Sequence, residues 1–266
     1  MTTKYYFFYF LFIFLLSCEE EKPKSNQNDH NKSKSDQFSK EDSIKAYKDL
    51  INEYDYRINE GFLIEANSLT YSNEDVEKDV TLYLDPQNNN TKLKMVFTTK
   101  KIDLSKTEIF SFYFLNKKNI CSKKVTKELR NQQYHVTEKI SYYDSSGVFL
   151  CRQRVALEEE LENTDFKFIS NETHSMREAE EIIGQIGKYE TNFKNIMKYE
   201  KDYYLIVGEN KKNGFHAVLN VSNPDKKFLK LDNKKNVGKK LIVQFDKEKN
   251  EDDWFQVLKS FEFSNK

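Results

Sequence analysis

The chain has 266 residues, and its 43 basic and 43 acidic side chains give a formal net charge of zero at pH 7. The two signs are interspersed along the chain, which excludes a nucleic-acid-binding protein that relies on a broad basic surface. Aromatic residues make up 14% of the chain, and this content favours β structure over a helix bundle. The length fits one large or two small domains.

The first 17 residues have the layout of a secretory signal peptide. Lys4 is their one charged side chain, and an apolar run extends from Tyr5 to Leu16. A helix of this run would be about 18 Å long, whereas the hydrocarbon core of a bilayer is roughly 30 Å thick. We therefore expect residues 1–17 to be a signal peptide and not a membrane-spanning anchor.

A cysteine follows this segment directly. The residues Leu15-Leu16-Ser17-Cys18 resemble the lipobox of bacterial lipoproteins, in which an aliphatic residue, a tolerant position and a small residue precede the cysteine. The resemblance implies that Cys18 becomes the mature N-terminus and carries the lipid, with acyl chains such as palmitate that anchor it in the membrane. The alternative is an ordinary signal peptide followed by an unrelated cysteine.

Three glutamates stand immediately behind Cys18. Glu19, Glu20 and Glu21 resemble the acidic export tag of surface lipoproteins of Bacteroidota. This resemblance implies an outer-membrane location, with the cell surface favoured over the periplasmic face. The alternative is that the glutamates only begin the polar segment 18–38, which has no apolar periodicity and is expected to be a flexible tether.

Residues 39–172 are expected to form an α+β domain. A helix should begin at Ser39, present an apolar stripe and stop at Gly61. Short runs of β-branched or aromatic residues predict strands over 62–71, 79–84, 92–99, 108–115, 134–143, 148–156 and 165–170. Sequential hairpins of this kind give an antiparallel β meander, and the helix should pack on one face of it.

Residues 173–266 are expected to form a second, β-rich module. A leading helix should begin at Ser175 and end between Gly184 and Gly187. Strands are predicted over 188–197, 202–209, 214–221, 226–231, 239–245 and 253–263. A small module with this many short strands suggests a β-barrel or an OB-like curled sheet.

Two cysteines remain after Cys18. Cys121 and Cys151 lie in or beside predicted strands, and an envelope compartment permits disulfides. A bridge that closes their loop would contribute about 3.5 kcal/mol in the chain-entropy model. The pattern therefore leaves two alternatives open, a disulfide or two buried free thiols.

The sequence contains no pattern typical of an enzyme or a metal site. It lacks a serine nucleophile elbow, a Walker loop and a dinucleotide-binding glycine pattern. His135, His174 and His216 have no His, Cys or Glu at a metal-ligand spacing. We therefore expect no catalytic residue, no metal and no cofactor.

Pairs of adjacent aromatic residues are candidates for partner binding. Neighbours on a strand point to opposite faces, so one ring of each pair should be exposed. The exposed ring could stack on a sugar or a peptide, or it could simply reflect the preference of β surfaces for tyrosine. The principal candidates are Tyr203, Tyr204 and Trp254.

Together these features favour a non-enzymatic, lipid-anchored envelope lipoprotein whose β-rich modules bind or support a protein partner. One alternative is an immunity or inhibitor lipoprotein that blocks a toxin or hydrolase at the envelope. A second alternative is a hydrolase with a site that no sequence motif reveals.

The lipobox resemblance predicts that processing requires Cys18. Cys18→Ala should leave an unlipidated precursor, because the sulfur is the group at this position that can be alkylated. Metabolic labelling with a fatty-acid probe and membrane fractionation measure the effect. A variant that still labels and fractionates with the outer membrane would contradict the lipoprotein interpretation.

Overall fold

The computed structural model describes residues 32–250 and 253–264. The predicted signal peptide, Cys18, the three glutamates and the first part of the tether lie outside these residues. Three α-helices are described, α1 (Lys32–Asn59), α2 (Arg177–Gly184) and α3 (Lys226–Leu229). No helix in the described part of the chain is both long enough and apolar enough to span a membrane.

The first helix differs from its prediction at one end and agrees with it at the other. It begins at Lys32, inside the predicted tether, and not at Ser39. It ends at Asn59, and the amide of Phe62 bonds to the carbonyl of Arg57 across Gly61. Gly61 has a φ of 71°, a left-handed conformation that a residue without Cβ adopts at little cost. The predicted stop at this glycine is confirmed.

The described strands belong to one large, mostly antiparallel sheet. Their bounds are β1 (Ile64–Asn67), β2 (Tyr71–Ser72), β3 (Val76–Asp85), β4 (Thr91–Lys101), β5 (Lys106–Leu115), β6 (Lys118–Arg130), β7 (Gln133–Asp144), β8 (Gly147–Leu157), β9 (Lys167–Ile169), β10 (Phe193–Tyr199), β11 (Asp202–Gly208), β12 (His216–Val221), β13 (Leu241–Asn250) and β14 (Asp253–Phe263). The α+β character and the antiparallel sheet agree with the prediction.

Strands β3 to β9 form the meander, with each strand paired to the next. Strand β6 is absent from the set of strands predicted from the sequence. It forms because two-residue turns at Asn116-Lys117 and Asn131-Gln132 fold it back against both neighbours. All four turn residues have positive φ, which is the geometry that matches the twist of a tight hairpin.

The predicted division near residue 173 does not separate two sheets. His216 of β12 pairs with Ser72 of β2, and the order β10-β11-β12-β2-β3 continues into the meander. Residues 43–266 form a single compact unit. The C-terminal part of the sheet is curled, and Asn192 forms an isolated bridge with Lys240. The sheet is nevertheless not a closed barrel.

One hydrophobic core unites strands from both predicted domains. Buried side chains of β3 to β5 pack together with those of β10 to β13, and Ala179 and Ile182 of α2 are fully buried among them. A second cluster lies where α1 covers the meander, and it includes the buried Tyr54 of the helix. The Tyr54 hydroxyl donates to the carbonyl of Phe114 at 3.1 Å.

The strand predicted over 226–231 is wrong, since these residues begin with the short helix α3. The carboxylate of Asp225 accepts a hydrogen bond from the amide of Phe228 at 2.6 Å. This N-cap satisfies the Phe228 amide, which in a strand would have needed an acceptor on a neighbouring strand. The helix places the Phe228 ring in the core, where it is 2% exposed.

A polar network ties α2 to the sheet through Glu178. Its carboxylate accepts hydrogen bonds from Lys78 at 2.7 Å, from Lys188 at 2.8 Å and from the Tyr189 hydroxyl at 2.7 Å. Burial alone would raise the pKa of Glu178, but these three donors outweigh it and lower the pKa to about 2. Burial and the adjacent carboxylate raise the pKa of Tyr189, so the phenol stays protonated and keeps donating.

Glu178→Gln should lower the free energy of unfolding at neutral pH by about 2 kcal/mol, because the charged acceptor of three donors is lost. The pKa of Glu178 is lower in the folded protein than in the unfolded chain, so its contribution is complete above the ordinary value of 4.5 and disappears as the pH falls towards 2. Urea unfolding across this range should show the two proteins converging. Glu180→Gln, on the exposed side of the same helix, is the control, and an equal loss there would contradict the role of Glu178.

Candidate functional site

The sheet branches at β12. Strand β11 occupies one edge of β12, and the other edge is shared by two strands. At the start of β12, His216 pairs with Ser72 of β2, whereas further along Asn220 pairs with Val257 of β14. Strands β2 and β14 therefore diverge from one another, and the divergence opens a cleft between the two arms of the sheet.

The cleft has a volume of about 1330 Å3. Strands β1 to β4 line one side, and strands β11 to β14 line the other. Strand alternation explains the lining of β12, because Val218 and Asn220 face the cleft while Leu219 and Val221 are buried in the core. This volume is large enough for an extended segment of a few residues or a comparable organic ligand.

Gln256 of β14 holds the two arms together at the inner end of the cleft. Its side-chain oxygen accepts from the Thr70 amide at 2.8 Å, and its side-chain nitrogen donates to the carbonyls of Thr70 and Val218 at 3.3 Å and 3.2 Å. The residue is 8% exposed. One amide side chain therefore satisfies backbone groups that the branch leaves without strand partners.

The predicted aromatic residues separate into two groups. Tyr203 packs edge-to-face on the buried Phe228, with 6.3 Å between ring centroids, whereas its neighbour Tyr204 lines the cleft. Trp254 also lines the cleft and is 66% exposed. The structure thus brings Tyr204 and Trp254 to the same site and directs Tyr203 to the core, as alternation along a strand requires.

The lining of the cleft is predominantly acidic. Six acidic residues and two lysines, Lys100 and Lys247, line it. The acidic residues are Glu65, Glu77, Asp79, Asp202, Asp246 and Glu248. Lys247 is paired with Asp79 at 3.0 Å. No sequence motif indicated this cluster, since its members come from four separate strands.

The described carboxylates do not converge on one point. Within residues 32–250 and 253–264, no group of three His, Cys, Asp or Glu side chains is arranged to hold a metal ion. The negative charge is instead distributed along the cleft walls. Such a distribution favours a ligand with several separated positive groups over a single ion.

Of the two alternatives that the sequence left open for Cys121 and Cys151, the structure has the buried free thiols. Cys121 pairs with Tyr142, and Cys151 pairs with Ser141, the preceding residue of the same strand β7. Adjacent residues of a strand face opposite sides of the sheet, so the two sulfurs are separated by the sheet itself. Both are free thiols, and burial raises the pKa of Cys121 to about 12, which leaves it protonated and unreactive.

The side chains of Ser122, His174 and Glu172 form a cluster that has some features of a hydrolytic relay. The Ser122 hydroxyl lies 2.9 Å from Nδ1 of His174, and Nε2 of His174 lies 3.7 Å from the Glu172 carboxylate. Ser122 is fully buried, so its oxygen has no path to a substrate. Burial lowers the pKa of His174, and the neutral ring holds its segment against the sheet. His135 and His216 lie on separate strands.

Comparison with known proteins finds no protein-family model, no curated protein and no solved structure that matches this chain.

Gln256→Leu should destabilise the branch, because a side chain of similar size would leave the Thr70 amide and two carbonyls without partners. Each unsatisfied buried group costs about 1–3 kcal/mol, so the free energy of unfolding should fall by at least about 2 kcal/mol. The control is Gln244→Leu, which removes an exposed bond to Ser260 and should change stability by less than about 0.5 kcal/mol. Equal unfolding midpoints for the two variants would contradict this role of Gln256.

Proposed function

We propose that the chain is a lipid-anchored lipoprotein of the outer membrane that acts as a non-enzymatic binding module. The lipobox resemblance around Cys18 supports the anchor, and the three glutamates behind it favour the cell surface. In this proposal the C-terminal strands act as an OB-like curled sheet whose outer face forms one wall of the cleft. The partner is a protein of the envelope, and its binding site is the cleft at the branch of the sheet.

The observation that carries the proposal is the exposed Trp254 ring, which lines the same cleft of about 1330 Å3 as Tyr204. Because the Trp254 side chain remains 66% exposed, its partial burial contributes little to the stability of the fold. Its apolar surface is therefore available to a partner. Large aromatic side chains in concave sites are typical anchors of protein interfaces. The concave shape favours a module that receives a partner over an inhibitor that inserts into one.

Trp254→Ala and Tyr204→Ala should each reduce the affinity for the partner about thirtyfold or more, because truncation of an aromatic anchor commonly costs about 2 kcal/mol or more. The measurement is quantitative affinity capture from detergent-solubilised outer membrane with tagged protein. Thermal unfolding of each variant checks that the fold is retained.

Phe168→Ala is the matched control. Phe168 is 74% exposed on β9 and lies outside the cleft, so its removal should leave capture unchanged. If all three variants retain the same companions in the same amounts, the cleft is not the binding site and the proposed function fails.

A further inference from the structure

We infer that the cleft binds an extended, lysine- or arginine-rich segment of a partner protein, an inference that rests on the proposed binding function. Charge is the first argument. The chain as a whole is neutral, but the cleft gathers six carboxylates against two lysines. A concave wall of one sign concentrates its potential and attracts groups of the opposite sign.

Three of the six carboxylates are paired with lysines of the protein. Asp79 pairs with Lys247 at 3.0 Å, and Asp246 and Glu248 share Lys259, at 3.3 Å and 2.9 Å. The other three, Glu65, Glu77 and Asp202, form no ion pair with any side chain in the described ranges. A neutral sugar could replace the water at these three carboxylates with hydroxyl donors, but it would leave their negative charge without an opposite charge. A cationic side chain compensates them directly.

The spacing of the carboxylates indicates an extended peptide. Glu77 and Asp79 are alternate residues of β3, and both line the cleft. Alternate residues of a strand share a face and repeat about every 6.6 Å along it. Basic residues at alternate positions of an extended segment have the same repeat, so such a segment can pair with a row of carboxylates along its length.

The aromatic residues of the cleft suit the same ligand. Trp254 is exposed, and Tyr204 lines the same space. Ammonium and guanidinium groups bind over the faces of such rings, and Trp is the strongest of these partners. Aromatic and acidic side chains together recognise the charge and the apolar stem of Lys or Arg.

The test uses the full mature protein in non-ionic detergent and a short dye-labelled peptide that alternates Lys and Thr. Fluorescence anisotropy should show binding that weakens with ionic strength, while a peptide that alternates Glu and Thr should not bind. Glu77→Gln/Asp202→Asn should weaken binding of the basic peptide about tenfold, since two attractive charges are lost. These substitutions break no described ion pair, so the fold should persist.

The matched control is Glu159→Gln/Glu160→Gln, which removes the same number of exposed carboxylates from the turn after β8 and should leave binding unchanged. Equal weakening by the two double variants, or no binding of the basic peptide, would overturn the inference. Binding of neutral maltohexaose that Trp254→Ala abolishes and the cleft double variant leaves intact would also overturn it. If the basic peptide fails while Trp254→Ala still reduces partner capture, the binding module stands and only its ligand class is wrong.

Discussion

The arrangement of the molecule depends on how the backbone is satisfied where the sheet branches. Strand β12 changes its neighbour from β2 to β14 within its own length, and a branch of this kind leaves backbone groups unpaired. The Gln256 side chain supplies one acceptor and two donated bonds at this point. Because unpaired buried groups are costly, this amide permits the two arms to diverge, and their divergence creates the cleft.

Strand alternation then divides the side chains between core and cleft. On β11 and β12 the residues of one face, such as Leu205 and Leu219, are fully buried. Residues of the other face, such as Tyr204 and Asn220, line the cleft. The same strands therefore stabilise the fold and form the wall of the site, and the helix α3 reinforces the core side by placing Phe228 against Tyr203.

The distribution of charge differs between the meander and the cleft. In the meander, Glu138 is 2% exposed and is paired with Lys123 and Arg154, so burial and neutralisation occur together. In the cleft, Asp202 is exposed and forms no ion pair within the described residues. An exposed carboxylate is not desolvated when the chain folds, so it lowers the stability of the fold very little. The negative charge of the cleft is therefore available for binding a partner.

Local sequence determined much of this protein. Gly61 ends α1 and Asp144 to Gly147 close a hairpin, because these outcomes depend on neighbouring residues and on backbone conformations that few residue types adopt. The alternation of Tyr203 and Tyr204 followed from strand geometry in the same way. Only the tertiary structure decided that β12 joins β2, that Cys121 and Cys151 face opposite sides of the sheet, and that acidic residues from four strands line one cleft. Pairing between strands far apart in sequence is selected by the packing of whole faces, and local propensity carries no information about which faces meet.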